Sequence, residues 1–188
     1  PESTVVSTGS ASNKQNINTC DHSYHLVDTA EGRAELVKKL AAADSFCFDT
    51  ETTSVDPNEA ELVGIAFAII PCEAYYIPTP ADYEEACRIL GDFKEVLENP
   101  DIEKVGQNLK YDIIVLRWHG IKVKGKLFDT MLAHYLLEPE LKHNLNYLSE
   151  NYLNYVPVSI ESLIGKKGKN QGSMRDVPVE QVTDYACE

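Results

Sequence analysis

The stretch Ser45-Phe-Cys-Phe-Asp-Thr-Glu51 decides how the rest of the chain is read. Aromatic residues favour a strand, and Ala41-Ala-Ala-Asp44 before it and Asp56-Pro57 after it bound the run. On a strand, Phe46 and Phe48 point to one face and Cys47, Asp49 and Glu51 to the other. The next run, Leu62-Val-Gly-Ile-Ala-Phe-Ala-Ile-Ile70, is apolar almost throughout and reads as an interior strand covered on both faces. Two carboxylates therefore stand side by side on an interior strand. Such a pair is costly unless a proton or a cation compensates it. Hard oxygen donors suit Mg²⁺ or Mn²⁺.

Asp-x-Glu occurs three times: Asp49/Glu51, Asp82/Glu84 and Asp101/Glu103. The second and third lie in turn-like or helix-start contexts and read as solvated. Only Asp49/Glu51 follows an apolar strand.

The whole chain bounds the possibilities. Its 188 residues, 43% of them hydrophobic, supply one ordinary core. No apolar run approaches the roughly 20 residues of a membrane span. No basic-then-apolar leader is present. The five cysteines lack metal-ligand spacing, and Cys47 is expected as a reduced core residue, which suits the cytoplasm. A net charge of −13 disfavours a high-affinity duplex binder, which would be basic. It does not exclude a metal-dependent nuclease, whose bound cations reverse the local field.

Residues 1–20, rich in Ser, Thr, Asn and Gln, read as a linker or disordered tail, and residues 21–188 as the folded unit. A short strand at 23–28 and a helix from Thr29 to about Ala43 precede the central strands. A strand at Ala74–Ile77 gives three successive strands with short connections, hence antiparallel. A helix spans Ala81 to Glu98 with Ala86, Ile89, Leu90, Phe93 and Leu97 as its apolar stripe. Strand Glu103–Gly106 leads into a helix from Asn108 to His119. Three further helices are expected at 129–137, 144–153 and from Pro178 onward. Asn108 and Asp112 share one helical face, where Asn108 is positioned to cap and Asp112 to face the helix N-terminus. Gly165-Lys-Lys-Gly-Lys-Asn-Gln-Gly-Ser-Met-Arg175 is the one strongly basic stretch. It is either a solubilising loop or a phosphate contact, and it is expected to be mobile for want of apolar anchors.

Taken in order, Phe48-Asp-Thr-Glu-Thr52, Val105-Gly-Gln-Asn-Leu-Lys-Tyr-Asp112, Phe128-Asp-Thr-Met-Leu132, Gly165-Lys-Lys-Gly-Lys-Asn-Gln171 and Asp184-Tyr-Ala-Cys-Glu188 resemble the 3′–5′ proofreading exonuclease domain of bacterial DNA polymerase I. The resemblance runs from about Tyr24 to the end. It implies an α/β fold, a ribonuclease H-like mixed sheet flanked by helices on both faces. It also implies the four-carboxylate, one-tyrosine site of the DEDDy exonucleases. Carried over by position, Asp49, Glu51 and Asp112 are metal ligands, and Tyr185 completes the catalytic set. The family's third motif is Tyr-x-x-x-Asp, whereas the chain reads Tyr185-Ala-Cys-Glu188 and stops. The fourth carboxylate would be the next residue. Glu188, about 100° away around a helix, is a poor substitute for it. A chain that lacks an initial Met and stops inside an expected helix reads as a piece cut from something larger, with impaired activity.

The chemistry so implied is two-metal phosphodiester hydrolysis, with two Mg²⁺ or Mn²⁺ ions about 4 Å apart flanking the scissile phosphate. The expected substrate is the single-stranded 3′ end of DNA, released as nucleoside monophosphates. Thr50, Val55, Gln107, Asn108, Tyr111, Lys142 and Met174 match substrate contacts, with Val55 and Met174 against the terminal bases. Met174 stands where relatives often carry an aromatic residue. The expected partner is a polymerase domain of the same chain, in a monomer. Two other functions share the sequence features: a ribonuclease-D-like trimming of RNA 3′ ends, and an inert exonuclease-like spacer. The basic stretch and the Gln107–Asp112 motif favour DNA. Retention of Asp49, Glu51 and Asp112 argues against the spacer.

Overall fold

A computed structural model describes residues 14–188. Six strands form one mixed sheet: β1 (Ser23–Leu26), β2 (Ser45–Thr52), β3 (Leu62–Ile70), β4 (Glu73–Pro78), β5 (Glu103–Gly106) and β6 (Leu127–Asp129), in the order β1-β4-β3-β2-β5-β6. The three expected consecutive strands, β2 to β4, are antiparallel, while β1 pairs with β4, β2 with β5 and β5 with β6 in parallel. β2 is thus interior. Its Phe46 and Phe48 side chains are buried on the face that carries α1 (Ala30–Ala41), α2 (Tyr83–Gly91), α3 (Lys94–Leu97) and α4 (Leu109–Trp118). Leu36, Leu40, Leu90, Leu97 and Leu116 close that core. The opposite face is covered by α8 (Val179–Cys187), whose Val182 and Cys187 pack with Val63, Ala66, Tyr76 and Met174. Helices α5 (Thr130–Leu137), α6 (Leu145–Tyr152) and α7 (Ile160–Ile164) lie between α4 and α8 in the chain.

Two close approaches depend on glycine. A Cβ at Gly106 would stand 3.0 Å from the Phe48 carbonyl oxygen and 2.5 Å from a Leu109 methyl, so the β5–α4 corner can press against β2. A Cβ at Gly64, which pairs with Glu51 across the ladder, would stand 2.3 Å from the Tyr76 hydroxyl oxygen. A register shift follows Glu51, and such bulges re-aim side chains next to functional sites.

Several expectations are corrected here. The helix expected over 81–98 is two helices, and the break turns Phe93 into the core to stack on Phe67 at 5.0 Å between ring centroids. Cys47 is exposed rather than a core residue, because it shares the parity of Asp49. The 165–175 stretch has an apolar anchor after all: Met174, in a short 3₁₀ turn (Met174–Asp176), is only 2% exposed. Its neighbour Arg175 donates to the carbonyls of Thr79 (3.1 Å) and Leu62 (2.5 Å). Of the tail expected over 1–20, residues 1–13 lie outside the described residues. Residues 14–20 carry tertiary contacts: Gln15 N–H donates to the Asn154 carbonyl (2.9 Å), and Val156 N–H to the Gln15 carbonyl (2.8 Å). Among the described residues, no helix is long and apolar enough to cross a membrane.

Candidate active site

Strand parity puts Asp49 and Glu51 on the α8 side of β2, away from Phe46 and Phe48. Glu51 is 8% exposed, whereas Asp49 keeps an accessible surface. Asp112, in the first turn of α4, is 2% exposed. One of its oxygens, Oδ1, accepts both the Thr50 backbone N–H (2.9 Å) and the Thr50 hydroxyl (2.6 Å). These two bonds fasten α4 to β2 at the residue that separates Asp49 from Glu51. They leave Asp112 Oδ2 for another partner.

The electrostatics of the three carboxylates are those of a crowded anionic site. Burial, then Asp112, then Glu51 hold the Asp49 carboxyl well above the usual carboxylate range. Burial and then Asp112 push Glu51 up to about 7. Asp112 is raised to about 6 by burial, with the Thr50 bonds pulling the other way. The Tyr185 phenol, half-buried on α8, is held protonated far above its ordinary range by burial first, then by Glu51 and Asp49. Tyr185 is therefore a neutral hydroxyl in the field of the two β2 carboxylates.

The donor set fits a hard divalent cation in chemistry: three carboxylates, mutually repelling, with no Lys or Arg ion pair to any of them among the described residues. Their spacing is looser than expected. Among the described residues, no three or more Asp, Glu, His or Cys side chains converge closely enough to enclose an ion. The carboxylates are neighbours, not a closed coordination shell, partly because Asp112 Oδ1 is already held by Thr50.

The remaining expected residues divide. Tyr111 donates its hydroxyl to the Ser54 carbonyl and meets the Thr52 hydroxyl, pinning the segment that leaves β2. Val55, in that segment, is 92% exposed and free to meet a ligand. Gln107 donates to the His143 carbonyl (2.7 Å) and accepts from the Thr130 hydroxyl, so it ties the β5–α4 corner to the loop that carries the exposed Lys142. Asn108 takes a left-handed backbone conformation (φ 59°, ψ 42°), and its side chain does not cap α4 as expected. Met174 is not available to a base, being buried against the α8 side of the sheet.

Sequence reasoning gave Asp129 no role beyond its motif. Its carboxylate does what Asn108 was expected to do. Oδ2 accepts Leu109 N–H (2.9 Å), and Oδ1 accepts Asn108 N–H (3.1 Å), Met131 N–H (2.9 Å) and Leu132 N–H (3.2 Å). One side chain thus caps α5 and anchors the start of α4, four residues before Asp112. The available signal was an Asp followed by a helical pattern, which reveals the α5 cap but not the α4 contact.

The fold defines a class: an α/β, ribonuclease H-like mixed sheet with helices on both faces. A family model described as 3′-5′ exonuclease matches residues 24–188, and the chain belongs to that family. It is similar to the DNA polymerase I of Pseudomonas aeruginosa, 37% identical over 174 residues covering 88% of this chain and 19% of the relative. It is also similar to that of Chloroflexus aurantiacus, 40% identical over 167 residues covering 86% of this chain and 17% of the relative. The chain spans about a fifth of the length of these curated relatives. Among solved structures, Brucella melitensis NrnC with bound Mg²⁺ shares the fold at a TM-score of 0.63 and 19% identity, covering 89% of this chain and 73% of that one. Escherichia coli RNase D does so at 0.64 and 18% identity, covering 87% of this chain and 40% of that one.

Proposed function

We propose that this chain is the proofreading exonuclease unit of a DNA polymerase I, trimming the single-stranded 3′ end of DNA to nucleoside monophosphates. The observation that supports the reading is that Thr50, between Asp49 and Glu51, holds Asp112 of α4 by two hydrogen bonds, so carboxylates of two separate motifs lie near one another at β2, with Tyr185 of a third motif close enough to feel Glu51 and Asp49. Asp49, Glu51 and Asp112 would hold divalent cations, Mg²⁺ or Mn²⁺, two in the complete site. Bound there, the ions would activate a water and stabilise the leaving 3′-oxygen. The chain's own residues do the rest. Thr50 orients Asp112 through Oδ1 and would leave its Oδ2 available to a cation. Tyr185, neutral at physiological pH, offers a hydroxyl that orients the attacking water and is no nucleophile. Val55 meets a terminal base. Gln107, Asn108, Tyr111 and Lys142 line the path of the strand, and the exposed Lys166, Lys167 and Lys169 contact phosphates.

The finer points belong to the same proposal. A fourth carboxylate beside Asp49, Glu51 and Asp112 would complete the ligand set. The unit works as part of a monomeric polymerase chain in the cytoplasm. The test is trimming of a labelled single strand in millimolar Mg²⁺, on matched DNA and RNA, by the 188-residue chain and by a form extended with Asp and two helical turns. Asp49→Ala serves as control. DNA trimming that rises on extension and vanishes in the control supports the reading. Preference for RNA would move it to a ribonuclease-D-like enzyme. An inactive, folded extended form would leave an inert spacer.

A further inference from the structure

We propose that Glu188 is a positioning residue that sets the rotation of the last turn of α8 and thereby aims Tyr185 at the site. The proposal rests on the exonuclease reading above. Both Glu188 oxygens are taken by donors from one distant segment. Tyr155 Oη donates to Oε1 (2.5 Å) and Val158 N–H to Oε2 (2.5 Å). That segment, between α6 and α7, is itself braced. Asn154 accepts Gln15 N–H, Val156 donates to Gln15, and the Lys14 ammonium pairs with Glu150 on α6 at 2.7 Å.

Helical spacing gives the contact its consequence. Residues three apart lie on neighbouring faces of a helix, so Glu188 stands beside Tyr185 one turn on. Cys187, between them in sequence, is buried in the sheet-side core. The turn is therefore fixed at two points about 100° apart, Cys187 against the sheet and Glu188 against residues 155–158. Tyr185, one turn before Glu188, packs against the same sheet-side cluster with its phenol in the field of Glu51 and Asp49, so the rotation of this turn sets where that phenol stands. Release of the Glu188 end would leave the end of α8 held by its sheet-side contacts alone, Cys187 and Val182 among them. The same geometry argues that Glu188 is not a ligand, since both of its oxygens are already taken by Tyr155 and Val158.

The experiment uses the natural full-length protein. Steady-state trimming of a labelled single strand is measured for Glu188→Gln, Glu188→Ala and Tyr155→Phe, with the Mg²⁺ midpoint of each and Asp49→Ala as control. Gln can accept from Val158 through Oε1 and donate to Tyr155 through Nε2, so Glu188→Gln should keep kcat within a few-fold. Glu188→Ala should lose about tenfold or more in kcat, the usual scale for supporting residues, with KM and the Mg²⁺ midpoint unchanged. Tyr155→Phe should lose part of that, and it carries the test if Glu188→Ala fails to fold. A Glu188→Gln as damaged as Glu188→Ala, with a raised Mg²⁺ midpoint, would make Glu188 a ligand and overturn the proposal. Unchanged kcat in Tyr155→Phe and in folded Glu188→Ala would overturn it as well. Full activity in Asp49→Ala would instead sink the exonuclease reading itself.

Discussion

Thr50 donates twice to a single oxygen of Asp112, through its backbone N–H at 2.9 Å and its hydroxyl at 2.6 Å. The residue between the two β2 carboxylates thereby holds the third. The backbone bond survives any substitution except proline; the hydroxyl bond survives only in Ser. Thr50→Val keeps the shape and the strand preference but removes a hydrogen bond to a carboxylate, worth roughly 1.5–3 kcal/mol. Thr50→Val should lower thermal stability by that amount and cut exonuclease kcat about tenfold. Thr50→Ser should retain both. Equal activity in Val and Ser variants would show that Asp112 needs no such hold.

The three carboxylates make the metal-free protein sensitive to pH in a direction opposite to most acidic groups. Glu51 is held at about 7 in the folded chain against a usual 4.5, chiefly by burial. A carboxyl raised by folding favours the folded state below its unfolded pKa and loses that advantage as pH climbs through the folded value. The gap from 4.5 to about 7 bounds the cost at roughly 3 kcal/mol. Without divalent metal, Glu51→Gln should match the parent in melting temperature near pH 4.5 and exceed it at pH 8. Added Mg²⁺ at pH 8 should raise the parent more than the variant. A constant difference across the range would refute the assignment.

What the sequence disclosed, and what it hid, follows from the range of each interaction. The alternation of Phe46 and Phe48 with Asp49 and Glu51 is local, and it correctly placed the carboxylates on one face of an interior strand. The same alternation placed Cys47 beside Asp49, and the expectation of a buried thiol ignored it. Asn108 looked like a cap because Asn at a helix start usually is one. Its left-handed backbone and the carboxylate that serves it, 21 residues away, have no local signature. Met174 sits in a polar, basic stretch, so its burial depends wholly on α8 folding back over β3 and β4. Short elements such as β6 and α7 escaped because three to five residues carry too little periodicity.

Asp129 joins two helix starts, which predicts a graded pair of variants. Asp129→Ala frees four backbone N–H groups and should cost roughly 2 kcal/mol, the upper end for loss of one cap. In a chain of this size that corresponds to a drop of about 4–8 °C in melting temperature. Asp129→Asn keeps an acceptor for Asn108, Met131 and Leu132 but loses the charge and the Leu109 bond, so it should fall between. Because α4 carries Asp112, activity measured well below the melting temperature should drop in the same order. Loss of stability with full activity at low temperature would limit Asp129 to capping.

Gly64 and Tyr76 offer a sharper test of how the fold serves the site. The Tyr76 ring lies over the Gly64 backbone, and its hydroxyl donates to the Val63 carbonyl at 3.2 Å. A methyl at residue 64 would meet the ring carbons at 2.4–2.5 Å, with no flexible chain end to give way, since Tyr76 is only 1% exposed. The ring must shift, and it can shift only toward α8 or along the sheet past Glu51, the cross-strand partner of Gly64. Overpacking of this kind costs roughly 1–3 kcal/mol. Gly64→Ala should therefore melt lower and lose activity beyond what its stability explains, because Glu51 and Tyr185 flank the displaced ring. Combining it with Tyr76→Leu removes the clash, at the cost of a smaller core residue. The pair should be coupled, with the double variant more stable than the sum of the singles implies. Strict additivity would mean that Gly64 is tolerant and that the sheet relaxes without disturbing the site.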